Sequence, residues 1–209
     1  MMRRPLAALL AAPLLLLGAC SDDSSPLDDP DVAASAPVPG VSLPAGDLQE
    51  LVPAPTEVPA GMVPVVLGSG PRSLDEVAGY SGTGAVKAQA VTSLRAHGFT
   101  SAYVAQYANQ ATGQALSVVV SRFASTTGAT ADFSDDQKGT SGTPVTTDPI
   151  GEASSVTTQD VPGSVTSQLT LVRFLRGTDT WVIAYQAAPK ADPAVPVALA
   201  KALLARTAT

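Results

Sequence analysis

The sequence predicts an α+β domain, with an antiparallel sheet of about five or six strands, helices packed on one face, and a disordered tether in front. Three observations lead there. Apolar and polar residues alternate on both sides of a turn-forming segment at 109–113. The same alternation returns three times between 152 and 187, and segments with helical spacing and capping residues lie between and after these runs. Successive strands joined by short turns pair antiparallel, and the helices must bury their apolar stripes on the resulting sheet.

The folded region is expected to begin near Gly61, where Met62, Val63, Val65, Val66 and Leu67 form a short apolar run closed by Gly68, Ser69 and Gly70, a first strand. Ser73 with Glu76 three residues on is a capping box that opens a helix over Leu74 to Gly79. A longer helix is predicted from Ala85 to His97. Val86, Ala90, Val91 and Leu94 share one face, and Gly98 supplies the left-handed stop. A hairpin follows, from Thr100 to Ala108, through the turn residues Asn109 to Gly113, and back from Ala115 to Phe123. Ser125 or Thr126 then caps a short helix through Asp132 and Phe133 to Asp136, and 139–149 is a loop of turn formers. Strands are expected from Glu152 to Thr158, Val165 to Arg176 and Thr180 to Ala187, with a tight turn at Gly177 to Asp179. A helix opened by Pro193 and running to Arg206 ends the domain, since proline is tolerated in a first turn.

The segment before Gly61 has a different character. Proline recurs at 26, 30, 37, 39, 44, 53, 55 and 59 among Asp, Ser and Ala, a composition that cannot bury a core. Proline and like charge favour extended states, so at ~3.1 Å per residue the segment spans up to roughly 100 Å. The alternative is that 47–58 packs on the domain as an extended arm. Charge is partitioned in the same way: Asp22 to Glu57 contribute eight acids and no base, whereas ten acids balance ten bases from Arg72 onward. A near-neutral domain lacks the concentrated basic surface that nucleic acid or an anionic lipid patch requires. The expected division is therefore 1–19, 20–60 and a single domain over 61–209.

Residues that carry chemistry are sparse. His97 is the one histidine, and at the end of a helix it suits capping of free carbonyls better than catalysis. The Gly-rich stretch Gly79 to Lys87 misses the spacing of a phosphate loop, because Ala85 and Val86 separate Gly84 from Lys87. Asp132, Asp135 and Asp136 lack the alternate spacing and closing glutamate of a calcium loop, and with one histidine and one cysteine no transition-metal set or cofactor is expected. Asp148, Glu152, Asp160 and Asp179 are turn residues that offer carboxylates for acid–base work only if the fold brings them together. Tyr103, Tyr107, Trp181 and Tyr185 are candidates for a ligand or partner surface on the sheet, with core packing as the plainer alternative.

The beginning of the chain is more specific. Arg3 and Arg4 precede an apolar run from Leu6 to Leu17, interrupted at Pro13 and about half the ~20 residues needed to span a bilayer. It ends in Leu17, Gly18, Ala19 and Cys20, and Cys20 is the only cysteine, so no internal disulfide can use it. This layout resembles the bacterial lipoprotein signal. The resemblance implies that a peptidase recognises Leu17, Gly18 and Ala19 and that Cys20 becomes the acylated first residue, holding the chain on the outer side of a cell membrane through a two- or three-chain anchor. The order of hairpin, helix, three strands and closing helix, with Gly98-Phe99 before a strand and Phe123-Ala124-Ser125 leading into a helix, also resembles uncharacterised envelope lipoproteins of actinobacteria, some of them PsbP-like sandwiches. That resemblance brings no functional residue with it. The expectation is a lipid-anchored envelope protein, non-enzymatic, whose domain binds an envelope protein or a small apolar ligand. The alternatives are a hydrolase or transferase of envelope polymers and a lipid carrier.

Overall fold

The computed structural model describes residues 48–139, 141–163 and 165–207. Its sheet is antiparallel and has eight strands: β1 (Val63–Pro64), β2 (Gly70–Arg72), β3 (Phe99–Asn109), β4 (Gln114–Phe123), β5 (Thr143–Pro144), β6 (Ala153–Val161), β7 (Ser167–Arg176) and β8 (Asp179–Ala187). The order is β1-β3-β4-β8-β7-β6-β5, with β2 pairing β3 beside β1. The five long strands are those that alternation predicts. The other three are two or three residues long and lie along the two sides of the sheet. Four α-helices accompany it: α1 (Leu74–Gly79), α2 (Gly84–Ala96), α3 (Thr126–Gly139) and α4 (Ala194–Arg206).

Local chemistry sets most boundaries. Ser73 and Glu76 form the capping box of α1 in full, each side chain bonded to the other residue's backbone N–H. His97 caps α2 and Gly98 follows at φ +75°, a left-handed position that glycine adopts without strain. Asn109 Oδ1 accepts from the amides of Ala111 and Thr112 to close the β3–β4 turn. Ser125 Oγ accepts from Gly128 N at the start of α3, and Asp192 Oδ1 accepts from Ala194 N at the start of α4. The predicted first strand over Met62–Leu67 is shorter than the apolar run. Pro64 has no N–H for the ladder, and the chain turns into a 3-10 helix at Val66–Gly68 before it rejoins β3 as β2.

The helices divide between two sheet faces, where one was expected. In register, Tyr103, Val120, Trp181 and Phe174 stand side by side across β3, β4, β8 and β7, and Trp181 stacks on Phe174 with centroids 4.8 Å apart. With Leu116, Val118, Val172, Ile183 and Tyr185 they form a first face, covered by Leu199, Ala200 and Leu203 of α4. Phe123 and Leu175 belong to the second face and meet Ala78 of α1, Leu94 of α2, and Ala129 and Phe133 of α3. The reason lies in β4, β7 and β8, which are buried along nearly their whole length, Ser117, Ser121, Thr170 and Thr180 included. Small and hydroxylic residues that pass for a solvent face in the sequence are buried here, Thr180 against Asp132 of α3, and strands buried on both sides need cover on both.

The packed chain also begins upstream of Gly61. Leu48–Leu51 form a 3-10 turn, and Leu48, Val52 and Met62 are buried in the first-face core with Leu51 and Val58 packed against it. The segment 48–58 therefore belongs to the domain rather than to the tether that composition predicts. Leu48, Leu51 and Val52 put three large aliphatics within five residues, a closer spacing than Leu27, Val32, Val38, Val41 and Leu43 have in the Pro/Asp stretch before it.

Candidate functional site

The four aromatic candidates lie on the first face. In register Tyr103 stands opposite Val120 and Tyr107 opposite Leu116 on one side of β4, while Trp181 and Tyr185 stand opposite the same two residues on the other. Tyr107, Trp181 and Tyr185 are buried and Tyr103 is partly buried against them. The surface they form is occupied by the chain itself. Trp181 Nε1 donates to the carbonyl of Leu51 at 3.1 Å, Tyr107 Oη donates to the carbonyl of Pro53, and Leu48 and Val52 fill the space between. Arg206, at the end of α4, donates to the carbonyls of Glu50 and Val52 and pairs with Glu57. The main-chain bond from Ala54 N, with the guanidinium of Arg206, holds the Glu57 carboxyl below the usual range. Burial pushes the phenols of Tyr107 and Tyr185 above theirs. The result is an aromatic shelf with the arm 48–58 held on it by its backbone carbonyls.

A second constellation lies under α3, on the other face. Arg173 on β7, its side chain only 5 % exposed, donates through Nε to Asp136 Oδ2 at 2.7 Å, and its Nη1 is buried without a partner. One turn earlier on α3, Asp132 bonds Thr180 of β8 and its Oδ1 lies 3.8 Å from His97 Nδ1. His97 Nε2 lies 3.5 Å from Asp135, which also takes Lys138 at 2.8 Å. Burial, reinforced by the charges of Asp136 and Asp135, pushes the Asp132 carboxyl up to about 7. Lys138 holds Asp135 below the usual range. Asp132 thus gives up its proton near neutrality, under a helix that Asp136 ties to the sheet. Among the described residues no three His, Cys, Asp or Glu side chains are placed to share a metal ion. Sequence analysis singles out Asp132, Asp135, Asp136 and His97 separately, but their meeting with Arg173 and Thr180 arises only in the finished fold, because the members come from α2, α3, β7 and β8.

The carboxylates considered for acid–base chemistry are each engaged with a partner of their own. Asp179 binds Arg122 through both oxygens, at 2.7 and 2.8 Å. Glu152 accepts from Gly177 N, Asp148 pairs with Lys201 and Asp160 accepts from Gln168. Lys87, at the end of the Gly-rich stretch, pairs with Asp75 at 2.6 Å. An open cleft of about 650 Å³ lies beside β6, lined by Gln137, Pro144, Val145, Thr146 and Thr157 among others, and none of the predicted residues borders it. Leu17, Gly18, Ala19 and Cys20 lie outside the described residues. No described helix is long and apolar enough to cross a membrane.

No protein-family model matches the chain, and no curated protein sequence does. Among solved structures, the chain is similar to the extracellular domain of PknH from Mycobacterium tuberculosis, at 13 % identity and a TM-score of 0.49, over 77 % of this chain and 94 % of that one.

Proposed function

We propose that this chain is a lipid-anchored protein of the bacterial cell envelope, acylated at Cys20 after recognition of Leu17, Gly18 and Ala19, whose α+β domain serves outside the membrane as a binding module. The observation that carries the reading is the run Leu17-Gly18-Ala19-Cys20 behind a short apolar stretch and two arginines, with no other cysteine in the chain. The domain's chemistry favours binding over turnover. The candidate carboxylates are engaged singly with Arg122, Lys201, Gln168 and the Gly177 amide, and the lone histidine lies beneath α3.

The test is the amino-terminal peptide of the mature protein isolated from membranes. Mass spectrometry should find it to begin at Cys20 and to carry diacylglyceryl on the thiol, and Cys20→Ser should leave the precursor uncleaved and unlabelled by radioactive palmitate. Recovery of the wild-type chain unacylated, or with residues 1–19 still attached, would overturn the anchor. Native mass spectrometry of the acylated protein then addresses the binding role: a co-purified molecule adds mass to the domain and identifies the ligand class.

A further inference from the structure

We infer that the loop between β1 and β2 is a membrane-contacting tip that rests on the bilayer holding the Cys20 anchor; for its proximity to lipid, though not for its chemistry, this depends on the anchoring proposed above. Leu67 is 99 % exposed, Val66 79 % and Val63 58 %, three aliphatics within five residues. Looseness does not account for their exposure, because the loop is stapled to β3. Val65 N donates to Gln106 O at 2.8 Å, Ser69 Oγ donates to Val65 O and accepts from Gln106 N, and Gly68 N closes back on Val65 O. A Cβ at Gly68 would fall 1.9 Å from Gln106 Oε1, so the chain lies against the strand there. The fold holds Val66 and Leu67 out in water, at a cost that contact with an apolar phase removes.

The surroundings fit a lipid surface. At the base of the tip Arg72 donates to the carbonyls of Gly68 and Pro71 and to Tyr80 Oη, which places a guanidinium and a phenol together behind the aliphatics. Basic and tyrosine side chains occupy headgroup level in membrane-bound proteins, with the apolar groups deeper. From Val58 to Leu74 Arg72 is the one charged residue, and the Glu76 carboxylate stands near enough to feel its charge. Beyond it, Asp75 is paired with Lys87 and Glu76 is bound to Ser73. The tip and the arm also share a strand. β3 carries the loop at Gln106 and donates through Tyr107 to Pro53, so the arm, held first by Arg206 and Trp181, then runs onto the strand from which the tip projects. A protein interface needs a broader patch than three side chains, whereas a bilayer does not. Two or three aliphatics bind lipid weakly by themselves, but the anchor supplies a high effective concentration.

The experiment uses the mature lipoprotein carrying Leu67→Cys, labelled there with NBD and reconstituted in phosphatidylglycerol/phosphatidylethanolamine vesicles, with Val165→Cys as a second exposed apolar position, Val165 being 66 % exposed. Acylation of Cys20 is read by mass before labelling. NBD at 67 should emit to the blue and be quenched severalfold more strongly by nitroxide-bearing lipid than NBD at 165. A probe at 67 that stays in water on an acylated, vesicle-bound chain would overturn the tip, and so would a blue shift that appears with rising protein concentration in the absence of lipid. An unacylated chain would count against the anchor, and through it against the tip.

Discussion

Asp132→Asn tests the buried cluster under α3 most directly. Asp132 is held at about 7 in the folded chain, against 3.8 for the free side chain, and burial is the main cause, with Asp136 and Asp135 behind it. A carboxyl raised on folding binds more protons in the native than in the unfolded state between those two values. Its contribution to stability is therefore complete below pH ~4 and is lost as the pH rises through 7. A difference of about three pKa units at ~1.4 kcal/mol each gives a ceiling of about 4 kcal/mol. The Asp132 side chain keeps 24 % of its surface in contact with water, so about 2–3 kcal/mol is the expected size. Asparagine preserves shape and a partner for Thr180 but carries no charge to desolvate. Urea unfolding at pH 5 and pH 8.5 should show the wild type losing stability with pH in excess of Asp132→Asn, and the variant should be the more stable at pH 8.5. Equal pH slopes, or a variant weakened most at high pH, would mean that Asp132 ionises in the fold without penalty and would overturn its assignment as a raised carboxyl.

Two further substitutions probe the contacts on either face. Gly128→Ala places a Cβ 1.9 Å from the carbonyl oxygen of His97 and should destabilise by about 2–3 kcal/mol in thermal unfolding, because α2 and α3 must separate to admit it; a neutral result would mean that the two helices are not so close. Trp181→Phe removes the indole donor to Leu51 O while keeping a ring against Phe174, and should cost about 1–3 kcal/mol with the largest change in hydrogen exchange at 48–53; an unchanged exchange rate there would show that the bond does not hold the arm.

Legibility in the sequence followed the range of the interactions. Features decided within a few residues were visible: the Ser73–Glu76 box, the stop at Gly98, the Asn109–Gly113 turn, and the alternation that defines β3, β4, β6, β7 and β8. Features decided by distant contacts were not. Whether Ser117, Ser121 and Thr180 face water or the interior depends on what packs over the sheet, and nothing in their own neighbourhood tells. Composition, an average over the segment, hid Leu48 and Val52 among prolines, although those two residues are buried in the core with Leu51 and Val58 packed against it. The aromatic candidates were gathered onto one face by register, but their occupant, the carbonyls of Leu51 and Pro53, could not be named from spacing. The His97–Asp132–Asp136–Arg173 cluster needed three elements from separate parts of the chain. The run Leu17 to Cys20, on which the proposed anchor rests, is a linear pattern that needs no fold to be seen.

The arm is also the part of the domain that should open first. Its bonds come from Trp181 on β8, Tyr107 on β3 and Arg206 on α4, residues 130, 54 and up to 156 positions away in sequence, so it gains its contacts only after sheet and helix are assembled. Its apolar contribution is small beside that of β4, β7 and β8, and low-stability segments of this kind open without unfolding the rest. Opening would bare Tyr107 and Trp181 and free the end of α4, while the ladders between the long strands stay closed. Amide exchange at 48–57 in the native state should accordingly be faster than at 116–120 and should depend on urea far more weakly, since little surface is exposed by the local event. Arg206→Ala, which releases the carbonyls of Glu50 and Val52 together with Glu57, should speed exchange in the arm by about tenfold, corresponding to ~1.4 kcal/mol, and leave β4 and β8 unaffected. Exchange of arm and sheet with one common urea dependence would instead make the arm part of the cooperative core, and a pull on the chain upstream of Leu48 would then be resisted by the whole fold rather than by three donors.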